Sequence, residues 1–208
     1  MKSAFNLATA LATGVAAVSA SAAASDPTFR LFGGVTLEPE IGAEASAAYY
    51  GYTVALSQDF ELDSGFVFGG AAGVDFGDFV IDAELAYRSS DLEGALTYSG
   101  YSTYTYQFDE SVGVISAMVN GWFELPVAAG FELYAGGGVG VAAGIIEDID
   151  PAIGIAYQLG AGARFNVTEY FGVGVGYRYF DTADIIDDSG ITADYKDSSL
   201  MFEAKFKL

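Results

Sequence analysis

The sequence predicts an all-β protein: an eight-stranded antiparallel up-and-down transmembrane β-barrel with four long external loops and three short periplasmic turns. Three observations predict it. The 208-residue chain is 52% hydrophobic with a mean hydropathy of +0.34, yet past its N-terminus it has no apolar run near the ~18 residues a membrane helix needs. Its apolar residues instead alternate with small or polar ones over segments of roughly nine or more residues, the length that crosses a bilayer at a tilt. Eight phenylalanines (Phe29, Phe76, Phe79, Phe123, Phe131, Phe165, Phe171 and Phe206) each stand at one end of such a segment, where a barrel places its aromatic girdle at the water–lipid boundary.

Residues 1–24 read as a signal peptide. Lys2 supplies the positive start, residues 4–18 the apolar stretch, and Ala22-Ala23-Ala24 a small-x-small cleavage site. Cleavage is expected after Ala24, with Ala22 as the alternative. Residues 25–208 then form one outer-membrane β-barrel domain, of a length suited to a single unit.

The first strand carries Phe29, Leu31, Gly33, Val35 and Leu37 on one parity and Arg30, Phe32, Gly34 and Thr36 on the other. The second sets Phe66, Phe68, Ala72 and Val74 against Val67, Gly69, Ala71 and Asp75. Gly77-Asp78 makes a tight connection, with glycine able to supply a positive φ. The third strand sets Phe79, Ile81, Leu85 and Tyr87 against Val80, Asp82, Glu84 and Arg88. The fourth, about residues 112–123, is the least regular, with Ile115, Val119 and Phe123 on its apolar side and Ser116, Met118, Asn120 and Trp122 on the other. A turn around Pro126 and Gly130 leads to the fifth, Phe131, Leu133, Val139 and Val141 against Glu132, Tyr134 and three glycines. The sixth sets Ile153, Ile155, Tyr157, Leu159 and Phe165 against Gln158 and Arg164. The seventh sets Phe171, Val173, Val175, Tyr177 and Tyr179 against glycines and Arg178, and the eighth Phe202, Ala204, Phe206 and Leu208 against Met201, Glu203, Lys205 and Lys207.

The connections alternate, long and short, so both chain ends fall on the periplasmic side. The polar parities carry Arg30, Arg88, Arg164, Arg178, Lys205 and Lys207 together with Asp82, Glu84, Glu124, Glu132 and Glu203, which predicts opposite charges meeting inside a narrow lumen. The long connections are acidic, above all Asp181, Asp184, Asp187, Asp188, Asp194 and Asp197, with Lys196 their one base. A solvated acidic surface is the plainer reading of them. Divalent-cation binding is the sharper one, although no spacing names individual metal ligands.

The formal net charge of −20 excludes a basic nucleic-acid surface. With no cysteine and no histidine, there is no thiol chemistry, no disulfide, and none of the commonest general base. The glycine runs at residues 136–140 and 172–176 sit at strand period with no helix after them, which reads as small residues facing a crowded lumen rather than a nucleotide loop. Tyr98, Tyr101, Tyr104 and Tyr106 read as strands continuing above the membrane. No catalytic or cofactor-binding residue stands out, and no cofactor is expected.

The segments FVFGGAAGVDFGDFVIDAELAYRSS (66–90), SAMVNGWFEL (116–125) and YQLGAGARFNVTEYFGVGVGYRYF (157–180) resemble the OmpA-like transmembrane barrel group, in the porin-like branch of small outer-membrane barrels common in alphaproteobacteria. The resemblance implies outer-membrane location and contact with outer-membrane lipids and lipopolysaccharide. Two departures from the group are a terminal Leu208 where an aromatic residue is usual, and a chain that stops at the barrel with no peptidoglycan-binding domain. Barrel enzymes of the outer membrane (omptin proteases, palmitoyl transferases, lipid A deacylases) use a histidine that this chain lacks. The leading expectation is a non-enzymatic integral protein supporting envelope integrity. A narrow porin-like channel is the alternative, and a soluble lipocalin-like carrier with its apolar parity inward is a third. N-terminal sequencing of the membrane-extracted protein is expected to begin at Ser25, and an intact Met1 would overturn the processing assignment.

Overall fold

The computed structural model describes residues 26–49, 52–61, 64–99, 103–145, 153–183, 185–186 and 192–208. The signal peptide assigned to residues 1–24, and the acidic positions Asp184, Asp187 and Asp188, lie outside them. Among the described residues there are ten strands: β1 Asp26–Tyr49, β2 Tyr52–Glu61, β3 Phe66–Asp75, β4 Phe79–Ser99, β5 Thr103–Ala128, β6 Phe131–Ile145, β7 Ile153–Asn166, β8 Phe171–Thr182, β9 Ile185–Ile186 and β10 Thr192–Lys207. Eight of them form the ring β1-β3-β4-β5-β6-β7-β8-β10, every pair antiparallel, and β10 pairs back onto β1 to close it. The two extra strands belong to the outer connections, β2 pairing with the upper half of β1 and β9 with β10.

The closure has a measurable stagger. Paired residues followed around the sheet from Pro27 pass through Val74, Ile81, Gly121, Gly137, Leu159, Tyr179 and Ser198, and return to β1 at Leu37, ten residues further along. Eight strands with that stagger tilt by about 40° and enclose a space that side chains alone can fill.

The apolar parity faces outward. Leu31, Phe68, Leu85, Val119, Leu133, Ile155, Leu159, Val175 and Phe202 are exposed on the outer wall. Arg30, Asp82, Glu84, Arg88, Asn120, Gln158, Arg164, Arg178 and Glu203 are buried inside. That direction removes the lipocalin-like alternative, which needs the reverse. The girdle is present as ring pairs between neighbouring strands: Phe131 with Phe165, centroids 4.7 Å apart, and Phe171 with Phe206, 5.1 Å apart. Phe79 stands opposite Phe123, and Phe29 opposite Phe206.

The short turns match the sequence expectation. Gly77 adopts φ 96° between β3 and β4, and its amide donates to Asp75 Oδ1 at 2.8 Å. Gly130 adopts φ 78° after a register shift at Pro126–Ala128. The outer connections differ from the long loops expected, because much of them is strand. β4 and β5 stay paired out to Ser99 and Thr103, and β1 stays paired with β2 out to Tyr49 and Tyr52. The strand extension expected around Tyr98, Tyr104 and Tyr106 is part of this, and Tyr101 lies outside the described residues. Backbone pairing above the bilayer needs no lipid-facing parity, so no outward alternation marks it in the sequence.

The folded barrel is expected to migrate faster on a detergent gel before boiling than after. Val175→Arg, on the lipid face, should cost about 2–4 kcal/mol of folding stability and impair insertion. Val175→Leu should be near neutral. Equal unfolding midpoints for the two variants would contradict the outward parity.

Candidate functional site

The inward parity of all eight strands meets in the lumen, and its charged residues lie in layers. In the lower layer the Arg164 guanidinium on β7 donates to Glu124 and Glu203, each at 2.7 Å, and to Glu132. The Lys205 ammonium donates to Glu124 at 2.6 Å and lies 3.3 Å from Asp75, which Lys207 also reaches at 2.7 Å. In the middle layer Arg30 on β1 meets Asp82 at 2.8 Å, Glu84 at 3.1 Å and Glu203 at 3.3 Å. Arg178 on β8 donates to Glu84 at 2.9 Å. Neutral donors complete this layer: Asn120 reaches Asp82 at 2.7 Å, the Trp122 indole reaches Asp82 at 3.1 Å, and Gln158 reaches Glu84 at 3.1 Å.

The upper layer is sparser. Arg88 donates to Ser116 at 2.8 Å, and its Nε lies 3.1 Å from Asp197 Oδ2 without hydrogen-bond alignment, so the contact is an ion pair only. Ser199 donates to the other Asp197 oxygen at 2.7 Å. Around this pair the lumen turns apolar, with Val112, Val114, Met118, Phe180 and Tyr195 in one buried cluster.

Seven carboxylates (Asp75, Asp82, Glu84, Glu124, Glu132, Asp197 and Glu203) thus meet six cations. The large desolvation cost of each charge is offset only because its partner and its hydrogen bonds are in place. Aromatic faces add to the guanidinium contacts: Arg88 lies 3.7 Å from the Phe180 ring centroid, Arg178 lies 4.8 Å from Phe32, and Arg30 lies 4.9 Å from Trp122.

Glycines make room for these rings. A methyl group at Gly136 would press on Trp122, one at Gly69 on Phe32, and one at Gly162 or Gly176 on the Tyr134 hydroxyl. What remains beside Arg30, Trp122 and Lys205 is a cavity of about 10 Å³, room for one water at most. Among the described residues no group of three or more potential ligands is arranged to hold a metal ion.

Every charge expected in the lumen is there, in partnered form. One residue is corrected: Asp197, assigned to an acidic outer loop, is buried against Arg88. β10 begins at Thr192, well before the apolar alternation starts, and Asp197 shares the inward parity of Ser199, Met201 and Glu203. Sequence reasoning also left Asp75 out of the charge network, although its parity was read. It gave no weight to Trp122 and Tyr134, whose rings meet edge-on at 5.9 Å in the middle of the lumen.

A closed antiparallel ring with a lipid-compatible outer wall and a charged, filled interior defines an integral outer-membrane barrel of the smallest kind. The chain belongs to the outer membrane protein beta-barrel domain family, whose sequence model matches residues 8–206. It is similar in structure to the outer membrane protein OprG from Pseudomonas aeruginosa, at 15% identity over 88% of this chain and 96% of that one, with a TM-score of 0.55. Neisserial surface protein A is similar at 14% identity over 86% and 97%, with a TM-score of 0.51. Likeness at these identities shows a shared fold. No curated protein sequence matches the chain significantly. The protein resides in the outer membrane.

Arg164→Ala leaves Glu124, Glu132 and Glu203 without their shared cation. It is expected to cost about 3–5 kcal/mol in urea unfolding from lipid vesicles. Lys196→Gln, at a half-exposed ion pair on the outside, should stay within about 1 kcal/mol of the parent.

Proposed function

We propose that this protein is a non-enzymatic, non-conducting barrel that supports envelope integrity and presents an acidic outer face to lipopolysaccharide and divalent cations. The observation that carries this reading is the filled lumen. A path for solute would have to break several of the ion pairs around Arg30, Arg164 and Lys205 at once and pass the apolar cluster around Phe180 above them. The lumen carboxylates are unsuited to acid–base work because each is tied to a cation and shut off from solvent, and the chain has no histidine to replace them.

The charge balance supports the second half. With seven carboxylates inside, 21 of the 28 acidic residues lie elsewhere in the chain. Outer-leaflet lipopolysaccharide is anionic too, so bare contact is repulsive, and Ca²⁺ or Mg²⁺ shared between carboxylates and lipid phosphates would relieve it. Plain salt screening would relieve it without sites.

Planar bilayer recording with refolded protein is expected to show no stable steps. Large, reproducible conductance would instead establish the channel alternative. In lipopolysaccharide-containing membranes, millimolar Ca²⁺ is expected to protect the outer connections from protease better than NaCl at matched ionic strength. Equal protection would leave a solvated acidic surface with no bridging ion. A deletion strain should leak hydrophobic dyes if the integrity role holds.

A further inference from the structure

β1 uses one of its edges twice. Its lower half pairs there with β3 and its upper half with β2, while β10 holds the other edge. The handover is tied at its centre: the Thr36 amide donates to the Gly65 carbonyl at 3.0 Å, and the Gly65 amide donates to the Thr36 hydroxyl at 2.7 Å. β3 meets its neighbours last at Phe66, between Val35 and Ser89, and β4 runs on past it to Ser99 with β5 alone as partner. Above β3, the edge of β2 turned from β1 and the edge of β4 turned from β5 therefore border one gap. Among the described residues neither edge pairs with another strand. An open edge cannot face hydrocarbon, but in water it is a template for a further strand.

Register sets what the gap carries. Asp59 and Glu61 on β2 and Asp91 and Glu93 on β4 lie at its foot, on the outer face of the wall, in the parity of Glu40 and Leu85. Leu56 and Phe60 on β2 and Leu92 and Leu96 on β4 lie on the opposite face, in the parity of the lumen residues Tyr195 and Arg88. Residues 38–63 and 90–111 contain no lysine or arginine. Lys196 is two strands away on β10, where it meets Glu40 at 3.3 Å. Like charges set opposite one another destabilise a strand pair, which accounts for β2 and β4 standing unpaired although each has a free edge toward the other.

We infer that this gap is a docking site for an extended peptide in which cationic and apolar residues alternate. The peptide enters as an added strand, its backbone satisfying the free edges. Its cationic residues lie in the row of Asp59, Glu61, Asp91 and Glu93, and its apolar residues in the row of Leu56, Phe60, Leu92 and Leu96. Charge complementarity selects this occupant over a second copy of the chain, whose edges bring the same four carboxylates. The open backbone selects it over a free cation, which leaves both edges unpaired. The inference goes beyond the lipopolysaccharide contact proposed above and requires neither that lipid nor a closed lumen.

The test is fluorescence anisotropy of a labelled peptide of alternating lysine and valine, with the refolded full barrel in phosphatidylcholine nanodiscs free of divalent cations. Asp59→Asn with Glu61→Gln, and Asp91→Asn with Glu93→Gln, should each weaken binding about fivefold. Glu169→Gln, an exposed acid in the short turn between β7 and β8 at the opposite end, should leave binding unchanged. A peptide of the same composition with its lysines and valines in two blocks should bind about tenfold more weakly, and so should the alternating peptide N-methylated at every second residue, which cannot extend a sheet. Binding should slow amide hydrogen exchange in β2 and in residues 90–99. Heat-shifted gel migration checks that each variant is folded. Equal binding of the alternating and N-methylated peptides, wild-type affinity in either double variant, or a dimer of the barrel that excludes the peptide overturns the inference.

Discussion

A backbone amide in hydrocarbon has no water to turn to, and the pairing of β1 with β10 is what satisfies the last open edge. The rest of the molecule follows from that closure. Eight strands and a ten-residue stagger fix the tilt and the bore together. The bore is too narrow for a water column once side chains enter it. The residues that point inward therefore have to satisfy one another, while those that point outward are free to be uniformly apolar.

The charged interior is a consequence of this geometry more than a stabilising surplus. Buried ion pairs in general roughly break even against well-packed apolar residues, and removing one partner is what costs heavily. Here single cations serve several carboxylates: Arg30 touches three and Arg164 three, with Glu203 shared between them. Such sharing makes the network intolerant of partial loss and pins the register of strands far apart in sequence. The rings of Phe32, Trp122 and Tyr134 fill the gaps between charges, and they fit because glycines on facing strands leave space for them.

Strand parity was legible wherever one face meets lipid, because apolar residues there must recur at every second position. The eight phenylalanines marked the lower boundary for the same reason. The sequence was mute where both faces meet water or protein. Around Asp197 the outward residues Lys196 and Ser198 are as polar as the inward ones, so no alternation showed that β10 had already begun. The paired extension of β1 with β2 carries no lipid-facing alternation for the same reason, whereas the tyrosines at 98, 104 and 106 did mark that of β4 and β5. The ion-pair partners were readable as a set but not one by one, since which carboxylate meets Arg164 depends on the stagger of strands that no local pattern encodes.

The seam between β1 and β10 also dictates an order of events. Thr28 pairs with Lys207, and the Leu208 amide donates to the Pro27 carbonyl at 2.9 Å, so contacts separated by nearly the whole barrel are needed before any ring exists. Non-local pairings of this kind are slow to form, and a partial chain exposes greasy strands with unpaired edges. Until β10 is in place the chain therefore carries apolar strands with an open edge, prone to pair with other chains. The ring closes only when β10 meets β1, so completion of the barrel hinges on Thr192–Lys207, the strand that lies furthest along the chain from its partner.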